Sequence, residues 1–110
     1  MLSLEYIKVE NMQTVSGNDS PNQLLIHDYK NENVLFQSYN SRIAILDFKN
    51  HALKVDKQLW DYSNTTSRYF NKALDRWGFS NVATMNHEEK EKYFEENKCF
   101  SELNLFSGGR

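Results

Sequence analysis

The chain holds one cysteine, one proline and four glycines among its 110 residues. Cys99 alone cannot close an internal disulfide. With no secretory leader read at the N-terminus, a reduced, cytoplasmic chain is expected. With so few glycines, a phosphate-cradling loop is nearly excluded, and no G-x-G-x-x-G, P-loop, H-E-x-x-H, G-x-S-x-G or EF-hand pattern occurs. No apolar run approaches the ~20 residues that span a bilayer, so no membrane contact is expected. Charge of one sign is also lacking. A formal net charge of −2 weighs against a strongly electrostatic nucleic-acid binder, while leaving a small local patch open.

Rings are plentiful. Aromatics make up 14% of the chain against 39% apolar residues in all, so a core built on large rings is expected. The length fits a single domain over 1–110.

Hydrophobic spacing divides it. Residues 1–22 read as an N-terminal arm, or an edge strand and loop. Leu2–Tyr6 alternates, Ile7 and Val9 continue out of phase, and Ser16–Asn22 is the clearest loop. Residues 23–56 read as an antiparallel β-meander. Its strands cover Gln23–Tyr29, Val34–Tyr39, Arg42–Phe48 and Ala52–Val55, with turns at Lys30–Asn33, Asn40 and Lys49–His51. The third of these is apolar on both faces, as a central strand should be.

Residues 60–110 form a helical part and tail. Tyr69, Phe70, Ala73, Leu74 and Trp77 recur at helical spacing, with Ser63, Asn64 or Thr65 as cap and Gly78 as stop. Asn86 and Glu89 form a capping-box pattern opening a second helix to Asn97, with Tyr93 and Phe94 inward and Lys90 along the surface. Leu103, Leu105 and Phe106 are expected to close as a short strand or packed tail, and Gly108–Arg110 as a frayed end. No internal repeat is read. The fold class is therefore α+β: four to five antiparallel strands with two C-terminal helices on one face.

Chemistry is sparse. Asp47, Asp56 and Asp61 sit at element ends, where aspartate ordinarily caps. His27, His51 and His87 lack metal-ligand spacing, and Cys99 reads as a buried, inert thiol. No catalytic residue, cofactor or metal is assigned, and a non-enzyme is expected.

Two stretches carry alternatives. Trp60, Tyr62 and Ser63–Thr66 either pack and cap the corner between sheet and helix, or Phe36, Tyr39, Trp60 and Tyr62 face solvent as a recognition surface with Arg42 and Arg68. In a nucleic-acid variant of the second reading, rings stack on unpaired bases while Arg42, Lys54, Lys57, Arg68, Lys72 and Arg76 hold phosphates. The acidic run Glu88, Glu89, Glu91, Glu95, Glu96 is either a salt-bridged helix face, with Glu88–Lys92 and Lys92–Glu96 as i,i+4 pairs, or a negative surface for a basic partner.

Phe36, Ser38, Tyr39, Ser41, Ile43 and Ala44, then Val55 and Asp56, then Trp60–Ser63, Thr65, Thr66 and Tyr69 follow F-x-S-Y-x-S-x-I-A … W-D-Y-S-x-T-T-x-x-Y. The pattern covers about a third of the chain, with the arm up to Pro21 outside it. It resembles an uncharacterised family of small proteins on phages, plasmids and genomic islands of low-GC bacteria, for which no catalytic residues carry over. Small proteins of such elements often bind a host factor, and anti-CRISPR proteins are one such class.

A non-enzymatic inhibitor from a mobile genetic element is therefore expected, acting in the cytoplasm of the host bacterial cell. In its most concrete form it is an anti-CRISPR blocking an RNA-guided nuclease. The expected partner-binding residues are Tyr39, Arg42, Trp60, Tyr62, Glu88, Glu91 and Glu95. The alternative is a single-stranded nucleic-acid-binding or accessory replication protein. A homodimer through an open sheet edge is also expected.

Overall fold

The structure, a computed structural model, describes residues 6–104. The expected alternation over Leu2–Glu5 and the expected closing residues Leu105, Phe106 and Gly108–Arg110 lie outside the described residues. The described chain runs β1 (Ile7–Gln13), β2 (Asp19–Asp28), β3 (Asn33–Ser38), β4 (Ser41–Asp47), β5 (Ala52–Asp56), α1 (Asn64–Arg76), α2 (Ser80–Ala83), α3 (His87–Glu96) and β6 (Phe100–Ser101). The six strands lie in sequence order in one sheet. All neighbours are antiparallel except β6, which runs parallel to β5. The α+β class stands, with six strands where four to five were expected.

Hairpin chemistry makes the meander. Asp28 Oδ1 accepts from Asn31 N–H and Oδ2 from the Asn31 amide. Asp47 repeats this with Asn50, adding Lys49 N–H. Asp28-Tyr29-Lys30-Asn31 and Asp47-Phe48-Lys49-Asn50 are thus one turn used twice, each followed by a residue at positive φ, Glu32 and His51. The two turns touch through Phe48 N–H and the Glu32 carbonyl. These short side-chain bonds hold both carboxyls below the ordinary aspartate range.

β2 begins at Asp19, inside the expected loop. Pro21 fits because the β1–β2 ladder jumps there from Asn11↔Leu24 to Gln13↔Asp19, so no ladder bond is asked of the proline nitrogen. β1 is a full edge strand. It is tied to α1 by Lys72 Nζ donating to the Gln13 carbonyl and by Arg76 binding Glu10 with both terminal nitrogens, at 2.8 and 3.0 Å.

Register fixes the faces. Leu25, Phe36, Ala44 and Val55 stand opposite one another across four strands and are fully buried under the helices. A bulge opposite Phe36–Gln37 turns both Ile43 and Ala44 inward. On the other face Val9, Ile26, Leu35 and Ile45 form one apolar row, with Val9 exposed and the other three half-buried.

α1 starts where Ser63 Oγ accepts from Thr66 N–H and stops at Gly78, φ 91°. Its expected inward residues Tyr69, Phe70, Ala73, Leu74 and Trp77 are all buried. α3 has the expected capping box, Asn86 with Glu89. Its inward side differs from expectation. Lys90 is 8% exposed and Tyr93 only half-buried, because the lysine ammonium reaches under α2. The third, short helix α2 was not expected. It forms because Phe79 and Val82 both bury their side chains.

The expected closing strand at Leu103 moves to Phe100–Ser101, where Val55 N–H donates to the Cys99 carbonyl and Lys57 N–H to that of Ser101. Rings then link the layers. Phe36 stacks on Phe70 at 6.1 Å, Phe70 on Phe94 at 6.0 Å, and Trp60 meets the Phe94 edge at 5.3 Å. Each such burial contributes about 1.5–3 kcal/mol.

Candidate functional site

The aromatic and hydroxyl stretch divides on folding. Phe36 is fully buried and Trp60 is 4% exposed, so of the two readings the packed corner holds for Trp60, and the solvent-facing platform, with Trp60 as a partner-binding residue, is corrected for both rings: they are core. The physical reason is the run of rings from sheet to α3, in which Trp60 contacts Phe94, Phe100 and His87. Tyr39 and Tyr62 do face solvent, at 45% and 43% exposure.

Tyr39 sits in the β3–β4 turn at φ 56°. Arg42 is half-buried and occupied. Its backbone N–H donates to Asn104 Oδ1, its carbonyl accepts from Asn104 Nδ2, and Nη1 donates to the Leu103 carbonyl. Asp56, buried at the same end of the sheet, accepts from the N–H groups of Gln58, Leu59 and Leu103. Arg42 and Asp56 therefore anchor the C-terminal segment to the sheet.

Glu88, Glu91 and Glu95 fall on the outward side of α3, opposite Lys90 and Phe94, and all three are exposed. Of the two expected i,i+4 pairs, Lys92–Glu96 forms at 4.0 Å. Among the described residues no Glu88–Lys92 pair is present. The stripe is thus less neutralised than a salt-bridged face would be.

Tyr62 joins this surface through its neighbour. Asp61 Oδ2 accepts from His87 Nε2 at 2.6 Å, and His87 opens α3 immediately before Glu88. The structure thus ties the segment of Tyr62 to the start of the helix that carries Glu88, Glu91 and Glu95. Tyr39 and Arg42 lie at the end of the sheet.

A cleft of about 170 Å³ lies between α1 and α3, lined by Trp60, Ser67, Phe70, Asn71, His87 and Lys90. The His87 ring lies on Trp60, 4.9 Å between centroids. Lys90 Nζ donates to the carbonyls of Met85, at 2.6 Å, and Ala83, and burial lowers its pKa. Asn71 Oδ1 is buried with no hydrogen-bond partner. Among the described residues, no hydroxyl or thiol is bonded to either nitrogen of His87. Sequence reasoning missed this cleft. Ser67–Asn71 and His87–Lys90 were legible only as separate helical spacings.

The other histidines have structural partners. His27 Nε2 donates to Glu10 at 3.0 Å. His51 Nε2 donates to the Trp77 carbonyl at the end of α1, with its ring on Phe79. Cys99 is buried, which pushes its thiol pKa up. Among the described residues no group of three or more His, Cys, Asp or Glu could hold a metal ion, and no helix is long and apolar enough to cross a membrane. Exposed rings that sequence reasoning passed over cluster at the far end of the sheet: Tyr6, Tyr29 and Phe48, joined through Tyr29 N–H on the Tyr6 carbonyl and Phe48 N–H on that of Glu32.

No curated protein and no solved structure matches the chain. One family model matches residues 3–96, spanning the first five strands and all three helices and including the N-terminal arm. The chain therefore belongs to the family of unknown function DUF8033.

Proposed function

We propose that this protein is a non-enzymatic binding protein of a mobile genetic element, which blocks a host macromolecule by surface contact. The observation that carries the reading is that Tyr62 and the carboxylates Glu88, Glu91 and Glu95 are all exposed, on two segments tied together by the Asp61–His87 bond. An exposed ring and a column of negative charge suit a basic protein groove: the charges steer the encounter and the ring anchors it.

In its most concrete form the partner is an RNA-guided nuclease, whose strands lie in basic channels. The protein then acts in the cytoplasm of the host bacterial cell. The single-strand-binding alternative loses Phe36 and Trp60 as stacking rings and would rest on Tyr39 and Tyr62. A homodimer, if formed, uses the open edge of β1, and its mass in solution tests that separately.

The test is affinity for a purified, guide-loaded nuclease at two salt concentrations. We expect binding that weakens with salt and falls at least about tenfold in Tyr62→Ala. Binding indifferent to both would refute the reading.

A further inference from the structure

The helices bury one face of the sheet, that of Phe36 and Val55. The other face has the composition of a covered one. A solvated face of an antiparallel sheet carries polar residues at its outward positions. Here Leu24, Ile26, Leu35 and Ile45 take outward positions on β2, β3 and β4, and Val9 continues their row onto β1 at 58% exposure. We propose that this row packs on the same row of a second copy of the chain, so that two sheets pair face to face as a symmetric sandwich.

The flanking positions choose how the copies pair. One ladder step towards the β2–β3 turn stand Asp28, Asn33 and Asp47, and one step the other way stand Leu24, Gln37 and Arg42. Hydrogen bonds from Asn31 and Asn50 hold the two carboxyls below the ordinary aspartate range, so both are ionised at neutral pH. A two-fold axis parallel to the strands would set Asp28 of one copy over Asp47 of the other, like charge against like. An axis along the row instead lays the acidic side of each copy over the Gln37 and Arg42 side of the other, with aliphatic row on aliphatic row. Such a contact is self-complementary, as a two-fold interface must be. Lys54 ends the row on β5, at the rim, where its ammonium reaches water.

The size fits a weak pair. Strands ~4.8 Å apart and residues ~3.4 Å along each make a five-strand face about 20 Å square. Two copies then bury roughly 800 Å², short of the ~1,200 Å² of a standard interface, so the pair forms and parts with concentration. An edge contact through β1 would lengthen the sheet and leave this row in water, so the two contacts are separate. The carboxylates of α3 lie on the helix side of the sheet and stay outside the pair, so neither surface depends on the other.

Sedimentation equilibrium of the full-length protein from about 10 µM to about 1 mM reads the association. We expect a monomer–dimer equilibrium in the wild type. Leu35 lies on β3, two strands from the β1 edge, and a two-fold pair buries it twice. Leu35→Thr, which keeps a strand-forming residue, should raise the dimer Kd at least about tenfold while its melting curve shows a folded chain. Ile45→Thr reads the same loss from the neighbouring strand if Leu35→Thr does not fold. A monomer throughout the range overturns the proposal. So does a dimer that the folded variant leaves at full strength, the result for a contact through the β1 edge or through α3.

Discussion

His87 lies flat on Trp60, with 14° between the ring planes, while its Nε2 holds Asp61 at 2.6 Å. One imidazole thereby couples a core ring, the turn that presents Tyr62, and the first residue of the acidic helix. A surface patch built from two distant segments needs such a joint, and the Trp60–Phe94 contact ties the same two segments beneath it.

Trp60 is a core ring in this account, and its truncation should read as one. Trp60→Ala is expected to destabilise by about 3–5 kcal/mol, as large-to-small changes of buried aromatics do. Urea unfolding at pH 7 checks it. A variant of wild-type stability would return Trp60 to the surface.

The Glu10–Arg76 pair should make stability depend on acid. The Arg76 guanidinium, with a smaller contribution from His27, lowers the Glu10 pKa from 4.5 to about 2. A folded-state pKa below the unfolded one stabilises above the unfolded value, so the contribution is whole above pH ~4.5 and is lost as pH falls towards 2. The shift is equivalent to roughly 3 kcal/mol, and solvent screening of this partly exposed pair reduces it to roughly 1–2. Unfolding free energy measured from pH 7 to 2.5 should show a steeper acid loss in the wild type than in Glu10→Gln. Parallel curves would contradict it.

Gln23 should be replaceable with profit to stability. It is 1% exposed, and neither its Oε1 nor its Nε2 has a hydrogen-bond partner. Gln23→Met keeps the volume and removes the unsatisfied groups, a gain expected near 1 kcal/mol or more and a Tm higher by about 4 °C or more. A lowered Tm in thermal denaturation would count against it.

Much of this architecture was legible in the chain. Ser63, Gly78 and the Tyr69–Trp77 spacing define α1 through local chemistry, and Asn86 with Glu89 does the same for α3. The polar turns at Lys30–Asn33, Asn40 and Lys49–His51 gave the meander its order, while the Asp28 and Asp47 side chains that hold two of them show only on folding. What could not be read depends on distant partners. Pro21 lies within β2 only because the ladder skips a stretch, β6 exists only because α3 returns its end to β5, and Lys90 is buried only because α2 offers it carbonyls. The twin Asp-aromatic-Lys-Asn turns are visible as letters, but four residues carry no repeat signal until both are seen to fold alike. Of the expected surface residues, Tyr39, Tyr62 and the three glutamates are exposed, while Trp60 goes inward because its neighbours in space are Phe94 and Phe100.

The central claim is that the protein acts by contact through Tyr62 and the carboxylates of α3. Its most direct test is target-DNA cleavage by a guide-loaded RNA-guided nuclease, with wild-type protein and with the charge-reversed variant Glu88→Lys, Glu91→Lys, Glu95→Lys, whose folding is verified by its melting curve. The account predicts that wild type suppresses cleavage and that the variant, equally folded, does not. Cleavage untouched by the wild type, or suppressed as well by the variant, would contradict it.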